Sequence, residues 1–329
     1  MARTRTFTVV RVEIHPFSAD DVPAAGRMLA HRHRRHRTAQ PLLSPRFEDA
    51  DTAAQQVADA LAQDGSSGAV ATRGGQAIGY LLGAPKASPV WGPNVWVESA
   101  GLATSEAEVM RDLYAAAATE WMARHLTAQY VIVPTGDPDL LDAWFRLGFG
   151  QQQAHAIREP MAAVPPPEHV VVRVAQRDDI PALARLDLVL PDHQGLAPTF
   201  SAGVTGSYEE TLAEWEEDFD DEDFRVLVAE HDGKVVGSAV GCALEKSGSH
   251  TGPARPDNAG FLGFAAVLPE ARGLGAGRAL GEAVLGWCGD TGFDSVVTDW
   301  RVPNLLSSRA WTALGWRTTF LRLHRLIGY

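Results

Sequence analysis

The stretch Phe261 to Trp287, FLGFAAVLPEARGLGAGRALGEAVLGW, decides how the chain is read. It opens as an apolar strand to Val267, breaks at Pro269, and runs through Arg272-Gly273-Leu274-Gly275-Ala276-Gly277. A helix is expected next, with Leu280, Val284 and Trp287 or Cys288 on one face at helical spacing. Glycines at alternate positions let the main chain curl tightly and leave its N–H groups uncovered. Those donors stand at a helix N-terminus, where the dipole also favours negative charge, so the combination reads as a phosphate cradle. A Walker loop would need Gly-Lys-Ser/Thr, whereas Gly277 is followed by Arg278 and Ala279. A dinucleotide fingerprint would place its third glycine at Arg278 or Leu280, and the chain after Gly277 is expected to be too short for the remaining βαβ units.

Working outward, the chain repeats one plan. Val9-Val10-Arg11-Val12 followed by Ala19-Asp20-Asp21-Val22-Pro23 returns as Val171-Val172-Arg173-Val174 and Arg177-Asp178-Asp179-Ile180-Pro181. Each predicts a β-branched strand, a turn with an Asp cap, and a helix with Pro in its first turn. Ala69-Val70-Ala71, Gly74-Gly75 and Ile78-Gly79 return as Leu227-Val228-Ala229, Asp232-Gly233 and Val236-Gly237, two glycine-turned hairpins. Trp144-Phe145-Arg146-Leu147-Gly148-Phe149 returns as Trp311-Thr312-Ala313-Leu314-Gly315-Trp316. Residues 1–158 and 170–329 are therefore expected to be two α/β domains. Between them, 159–169 (EPMAAVPPPEH) is expected to be a semi-extended proline-rich linker.

The pattern Val267-x-Pro269-x-x-Arg272-Gly273-x-Gly275-x-Gly277 resembles the acyl-CoA-binding signature of GCN5-related N-acetyltransferases, the GNAT superfamily. Asn304, Ser307, Trp311, Leu314, Gly315 and Trp316 resemble that family's second motif, and the likeness of element order runs from about residue 170 to the end. The resemblance implies two GNAT-like domains, each a twisted, mixed, mainly antiparallel sheet flanked by helices. It also implies that acetyl-CoA lays its pyrophosphate on the amides of Arg272, Gly273, Leu274, Gly275, Ala276 and Gly277. The pantetheine arm would pair like an added strand near Ala265, Ala266 and Val267. Asn304 would contact the arm near the thioester, and Arg278 or Arg309 would meet a ribose phosphate. Taken alone, Asn304 also reads as a helix cap and Arg278 as solvated surface. The implied reaction is direct attack of a primary amine, of a small molecule or a peptide, on the thioester. The alternatives are a non-catalytic acyl-CoA sensor or scaffold, and a tandem enzyme resembling mycothiol synthase.

Departures from the family pattern matter. Where many members carry a tyrosine proposed to protonate the leaving thiolate, this chain has Trp311, whose N–H does not titrate near neutral pH. The strand Phe261 to Val267 holds no Glu or His, which leaves Asp299, His324 and Arg322 as candidate proton-handling groups. Laid over the second repeat in the register of Gly148 and Gly315, the first sets Ser105, Glu106, Glu108 and Met110 at Arg272, Gly273, Gly275 and Gly277. Two carboxylates at the cradle oppose a pyrophosphate, so the first repeat is expected to have kept the fold and lost the cofactor, and to buttress the second or complete its acceptor cleft.

The remaining features set limits. At 329 residues, 45% hydrophobic and 21% charged, the chain can bury two cores of about 150 residues each. A formal charge of −12 is a poor background for nucleic acid or an anionic membrane. The basic run His31 to Arg37 is expected to be a solvated helix end. The acidic run Glu209 to Asp223 reads as an amphipathic helix with a negative outer face; the family resemblance, which sets this region at the border of the acceptor site, implies a cationic amine acceptor. Neither Cys242 and Cys288 nor His31, His33 and His36 show metal-ligand spacing, so no metal is expected. Arg11 and Glu13 interrupt any signal-peptide core, no apolar run approaches the ~20 residues of a membrane span, and a cytoplasmic protein is expected.

Overall fold

The computed structural model describes residues 11–87, 89–201 and 206–328. The chain forms two compact units. One holds Pro45–Gly150 with residues 11–40 and 323–328, the other Gln151–Arg322 with Pro41–Ser44.

In the first unit the order is β1 (Val12–Pro16), α1 (Val22–Ala39), α2 (Ala50–Leu61), β2 (Ser67–Arg73), β3 (Gln76–Gly83), β4 (Asn94–Val97), β5 (Leu102–Thr104), α3 (Val109–Ala123), β6 (Ala128–Pro134) and α4 (Pro138–Arg146). Antiparallel pairing gives the sheet β1-β2-β3-β5, while β4 and β6 pair in parallel. The expected first strand is β1; Val9 and Val10 lie outside the described residues. Helices α1 and α2 and the hairpin β2–β3 share a core of Leu29, Val57, Val70, Tyr80 and Leu82.

The second unit runs β7 (Gly150–Arg158), β8 (Val171–Val174), α5 (Ile180–Gly195), α6 (Tyr208–Asp218), β9 (Phe224–His231), β10 (Lys234–Ala243), β11 (Ala259–Val267), α7 (Ala276–Thr291), β12 (Ser295–Arg301), α8 (Leu305–Ala313) and β13 (Arg317–Leu326). Its sheet order is β13-β7-β12-β11-β10-β9-β8. Within it β11 and β12 are parallel, and the β7–β12, β10–β11, β9–β10 and β8–β9 pairs are antiparallel. Each repeat thus folds as a mixed, mainly antiparallel sheet flanked by helices.

The repeated motifs have repeated physical jobs. Gly148 and Gly315 both take φ +82°, the left-handed conformation that ends a helix. Phe149 N–H then donates to Trp144 C=O at 3.3 Å, and Trp316 N–H to Trp311 C=O at 3.1 Å, closing α4 and α8 in the same way. Asp21 and Asp179 accept backbone N–H bonds from Ser18 (2.9 Å) and Gln176 (2.7 Å), which tie the turn leading into α1 and α5.

Strand β7 comes from the end of the first repeat, yet it pairs with β12 of the second unit, Gln153–Arg158 against Arg301–Val296. Ala154, His155, Ala156 and Ile157 are all buried, so both faces of this strand are covered. The proline-rich segment that follows has no regular structure and is held to α7 and its entry loop. Met161 N–H donates to Leu285 C=O at 3.4 Å, and His169 Nε2 lies 2.9 Å from Leu274 C=O.

The basic run departs from a solvated helix end. It lies in the last turns of α1, and Arg32, His33 and His36 are buried. Arg32 donates to Ser99 C=O at 2.6 Å and to Leu102 C=O, and burial pushes its guanidinium down to about 10. Of the exposed members, Arg35 meets Asp137 at 3.3 Å and Arg34 meets Glu48 at 3.9 Å. Helical spacing along α1 turns Arg32, His33 and His36 to one inner face, and there Arg32 supplies donors to the carbonyls of Ser99 and Leu102.

Candidate functional site

The glycine loop and its flanks frame a cleft of about 380 Å³ in the second unit. Ala265, Ala266 and Val267 of β11 form one wall, and Val189, Leu190 and His193 of α5 another. Arg272, Gly273, Gly275, Ala276, Gly277 and Arg278 close one end, and Asn304, Leu306, Ser307, Ala310 and Trp311 line the α8 side. Strand β11 can form a wall because it parts from β12. The two pair only from Ala259↔Ser295 to Leu262↔Thr298, after which β11 continues to Val267 bonded to β10 alone among the described strands. The register slips so that Gly263 has no opposite number between Phe264↔Val240 and Leu262↔Gly241. That bulge bends the strand and opens the split.

Gly273 and Gly275 adopt φ +88° and +85°, conformations that cost a side chain about 1–2 kcal/mol. Gly275 is the N-cap of α7 and no side chain caps that helix. The first N–H groups of the helix have no partner within it, so they are free to serve an anion at the cleft end. An added Cβ at Gly273 would meet nothing within 4 Å, so the glycine there serves backbone conformation and leaves the approach open. These are the properties a diphosphate needs, and the residues fit acyl-CoA.

The sequence-derived residues do not all converge. Ala265, Ala266, Val267, Arg272, Gly273, Gly275, Ala276, Gly277, Arg278 and Asn304 line the one cleft. Leu274 belongs to the loop, but its carbonyl is engaged by His169. Arg278 is exposed and donates through Nε to Glu282 at 2.8 Å. Arg309 is exposed on α8 and is not among the lining residues. Asn304, 3% exposed, caps α8: its Oδ1 accepts from Leu306 N–H at 3.2 Å and Ser307 N–H at 3.3 Å. Trp311 borders the cleft and packs over Gly281 of α7.

None of the three proton-handling candidates lines the cleft. Asp299 lies on β12 and accepts from Gln153 Nε2, with His250 Nε2 at 3.8 Å from its other oxygen. His324 belongs to the first unit, where its ring lies 6.2 Å from that of Tyr130. Arg322 is buried and donates to Gln152 at 2.6 Å.

His250 is a residue that motif reading passed over. It sits in an irregular loop at φ +54°, fully buried, with its ring 4.6 Å from His155 and 5.9 Å from Phe261. Burial lowers its pKa, Asp299 opposes that shift, and Arg255 adds to it. The unfolded chain therefore takes up the proton first as pH falls through about 6.5, and the native state loses up to about 1.4 kcal/mol per pH unit until the folded ring also protonates. His250→Asn, which tolerates the left-handed backbone, is expected to flatten this slope as pH falls below about 6.5. Denaturant titrations of both proteins across that window check it; parallel slopes would remove His250 as the cause.

A second cleft, of about 530 Å³, continues along β11 from Phe264 toward Phe261. Trp215, Phe219, Phe224, Phe261 and Phe264 supply aromatic lining, and Asp187, Glu214, Asp218 and Asp221 supply carboxylates. Burial raises the pKa of Asp187, with neighbouring Glu214 adding to the shift and the Trp215 indole opposing it. The one cation in the lining, Lys246, is already 2.6 Å from Asp223. Cys242, also in the lining, has its thiol pushed up by burial and by Asp223.

In the first repeat the corresponding loop carries two ion-paired carboxylates. Glu106 forms a two-pronged ion pair with Arg73, which holds its carboxyl below the usual range, and Glu108 meets Arg146 at 3.1 Å. Both carboxylates stand immediately before α3, where amide donors would have to face a pyrophosphate. Among the described residues no helix is long and apolar enough to cross a membrane, and no group of His, Cys, Asp and Glu is arranged to hold a metal.

Comparison with known proteins agrees with this geometry. The acetyltransferase (GNAT) family model matches residues 190–316, which include the cleft's glycine loop, β11, β12 and α8. No curated protein matches the chain. Among solved structures, a GCN5-related N-acetyltransferase from Sphaerobacter thermophilus is 16% identical and aligns over 97% of both chains at a TM-score of 0.55. A GCN5-related glucosamine N-acetyltransferase region of a fungal multi-domain GH3 β-N-acetylglucosaminidase is 13% identical, covering 97% of this chain and 38% of that one at a TM-score of 0.51. At these identities the structures show a shared fold. Residues 190–316, glycine loop included, thus match the acetyltransferase (GNAT) family, and the chain shares the fold of these GCN5-related structures along its length.

Proposed function

We propose that the second repeat, residues 170–329, binds acetyl-CoA in the glycine-loop cleft and transfers the acetyl group to a primary amine of a small molecule or peptide. The observation that carries this reading is the pair of left-handed glycines at the uncapped N-terminus of α7. Bound acetyl-CoA would supply an acyl thioester activated toward amines. The amides from Gly273 to Gly277 would hold its diphosphate, and the unpaired edge of β11 at Ala265–Val267 would take the amide groups of its arm. Asn304 would act mainly through α8, by fixing that helix's first turn against the cleft. In this reading the first repeat holds no CoA, because the Arg73–Glu106 and Glu108–Arg146 pairs stand where the cradle would be.

A second reading, an acyl-CoA sensor without turnover, is favoured by Trp311 in the cleft and by the engagement of Asp299 with Gln153. Release of CoA thiol with a library of primary amines separates the two. Catalysis gives steady release with at least one acceptor; binding of acetyl-CoA with no release from any acceptor would establish the sensor.

A further inference from the structure

We infer that the aromatic, acidic cleft beside β11 is the acceptor site and that it selects amines carrying more than one positive charge. This rests on the acyl-CoA reading of the neighbouring cleft. The two clefts abut on one strand: Phe264 lines the acidic one and Ala265, the next residue, lines the other. A nucleophile held against Gly263 and Phe264 would therefore face the end of an arm laid along Ala265–Val267.

The charge balance identifies the ligand class. Asp187, Glu214 and Asp218 border the cavity, and none of them makes an ion pair among the described residues. The lining's only cation, Lys246, is committed to Asp223. Like charges repel, and the half-buried Asp187, with Glu214 beside it, already resists ionisation. A ligand cation relieves this, and the aromatic faces of Trp215, Phe219 and Phe261 attract it further. A monoamine is a poor match. Carboxylates that hold its only nitrogen as ammonium remove the lone pair needed for attack. An acceptor with two or more amino groups resolves the conflict, with one group anchored as ammonium and another presented neutral at β11. Methylenes or a sugar ring between the groups would cover the aromatic walls.

Calorimetric titration with spermidine, neamine and butylamine tests the inference on the intact chain. Spermidine or neamine is expected to bind at least about tenfold more tightly than butylamine, with an advantage that shrinks as salt is raised. Glu214→Gln combined with Asp218→Asn is expected to weaken binding of the polyamine by at least about tenfold. Both residues are exposed, so folding should persist. Glu217→Gln, on the same helix but outside the lining, is expected to change nothing. No heat with spermidine or neamine, equal affinity for butylamine, or an unaffected double variant would each overturn the inference. Acetyl-CoA titrated into the same proteins keeps the two readings apart. If acetyl-CoA binds and no polyamine does, this inference alone falls. If polyamines bind and acetyl-CoA does not, the acetyltransferase reading falls and the polycation site stands.

Discussion

Gly275→Glu is expected to weaken acetyl-CoA binding by at least about a hundredfold while the chain stays folded. The substitution has two components, and they can be measured separately. Any side chain at φ +85° carries about 1–2 kcal/mol of backbone strain, and its Cβ would come within 3.2 Å of Pro167. Gly275→Ala carries that component alone. The carboxylate adds a negative charge at the helix N-terminus that would receive the diphosphate. Like charges about 4 Å apart repel by about 4 kcal/mol at an effective dielectric near 20, enough for two to three decades in affinity. Titration calorimetry with acetyl-CoA, alongside melting curves for both variants, checks the expectation. Equal losses for the Ala and Glu variants would mean that loop shape alone, and not the anion, explains the cleft.

Trp311→Ala is expected to cost about 3–5 kcal/mol of stability and to collapse the α8 side of the cleft. Trp311 is only 8% exposed, its ring rests against Gly281 of α7, and its carbonyl receives the N–H that closes α8. Deleting the indole leaves a void between two helices that both border the site. Trp311→Phe keeps a ring over Gly281 and is expected to recover most of the loss. Urea titrations of the three proteins measure this. A stability change below about 1 kcal/mol for the Ala variant would show that α8 is held without the indole. If the Phe variant also binds acetyl-CoA as the parent does, the indole's role is packing.

Much of the architecture was legible because it rests on short-range chemistry. The hairpins announced themselves through Gly74-Gly75 and Asp232-Gly233, and the helix ends through Gly148 and Gly315, where left-handed backbone leaves few alternatives to glycine. The cofactor loop was legible for the same reason at Gly273 and Gly275. What escaped the sequence depends on long-range placement. The acidic cleft was legible in part: the run Glu209 to Asp223 supplies Glu214, Asp218 and Asp221, while Asp187 from α5 and Phe261 from β11 join it only through the fold. His250 sits in an irregular loop with no motif around it, and its positive φ is a property of the fold that no sequence pattern announces. Asp299 and His324 stand on neighbouring strands in the sequence order, yet only the first belongs to the unit that holds the cleft. Arg32, His33 and His36 turned inward from a run whose charge alone suggested water.

The position of β7 bears on why a chain would keep both copies. The strand that completes the sheet behind the catalytic candidate is encoded ahead of the proline segment, in the copy whose own loop is stoppered by arginine–glutamate pairs. Removing that copy would strip β12 of its neighbour and leave the amides and carbonyls of Val296–Arg301 bare along a raw seam. A fragment carrying the second copy alone must therefore begin at or before β7 to keep that edge hydrogen-bonded.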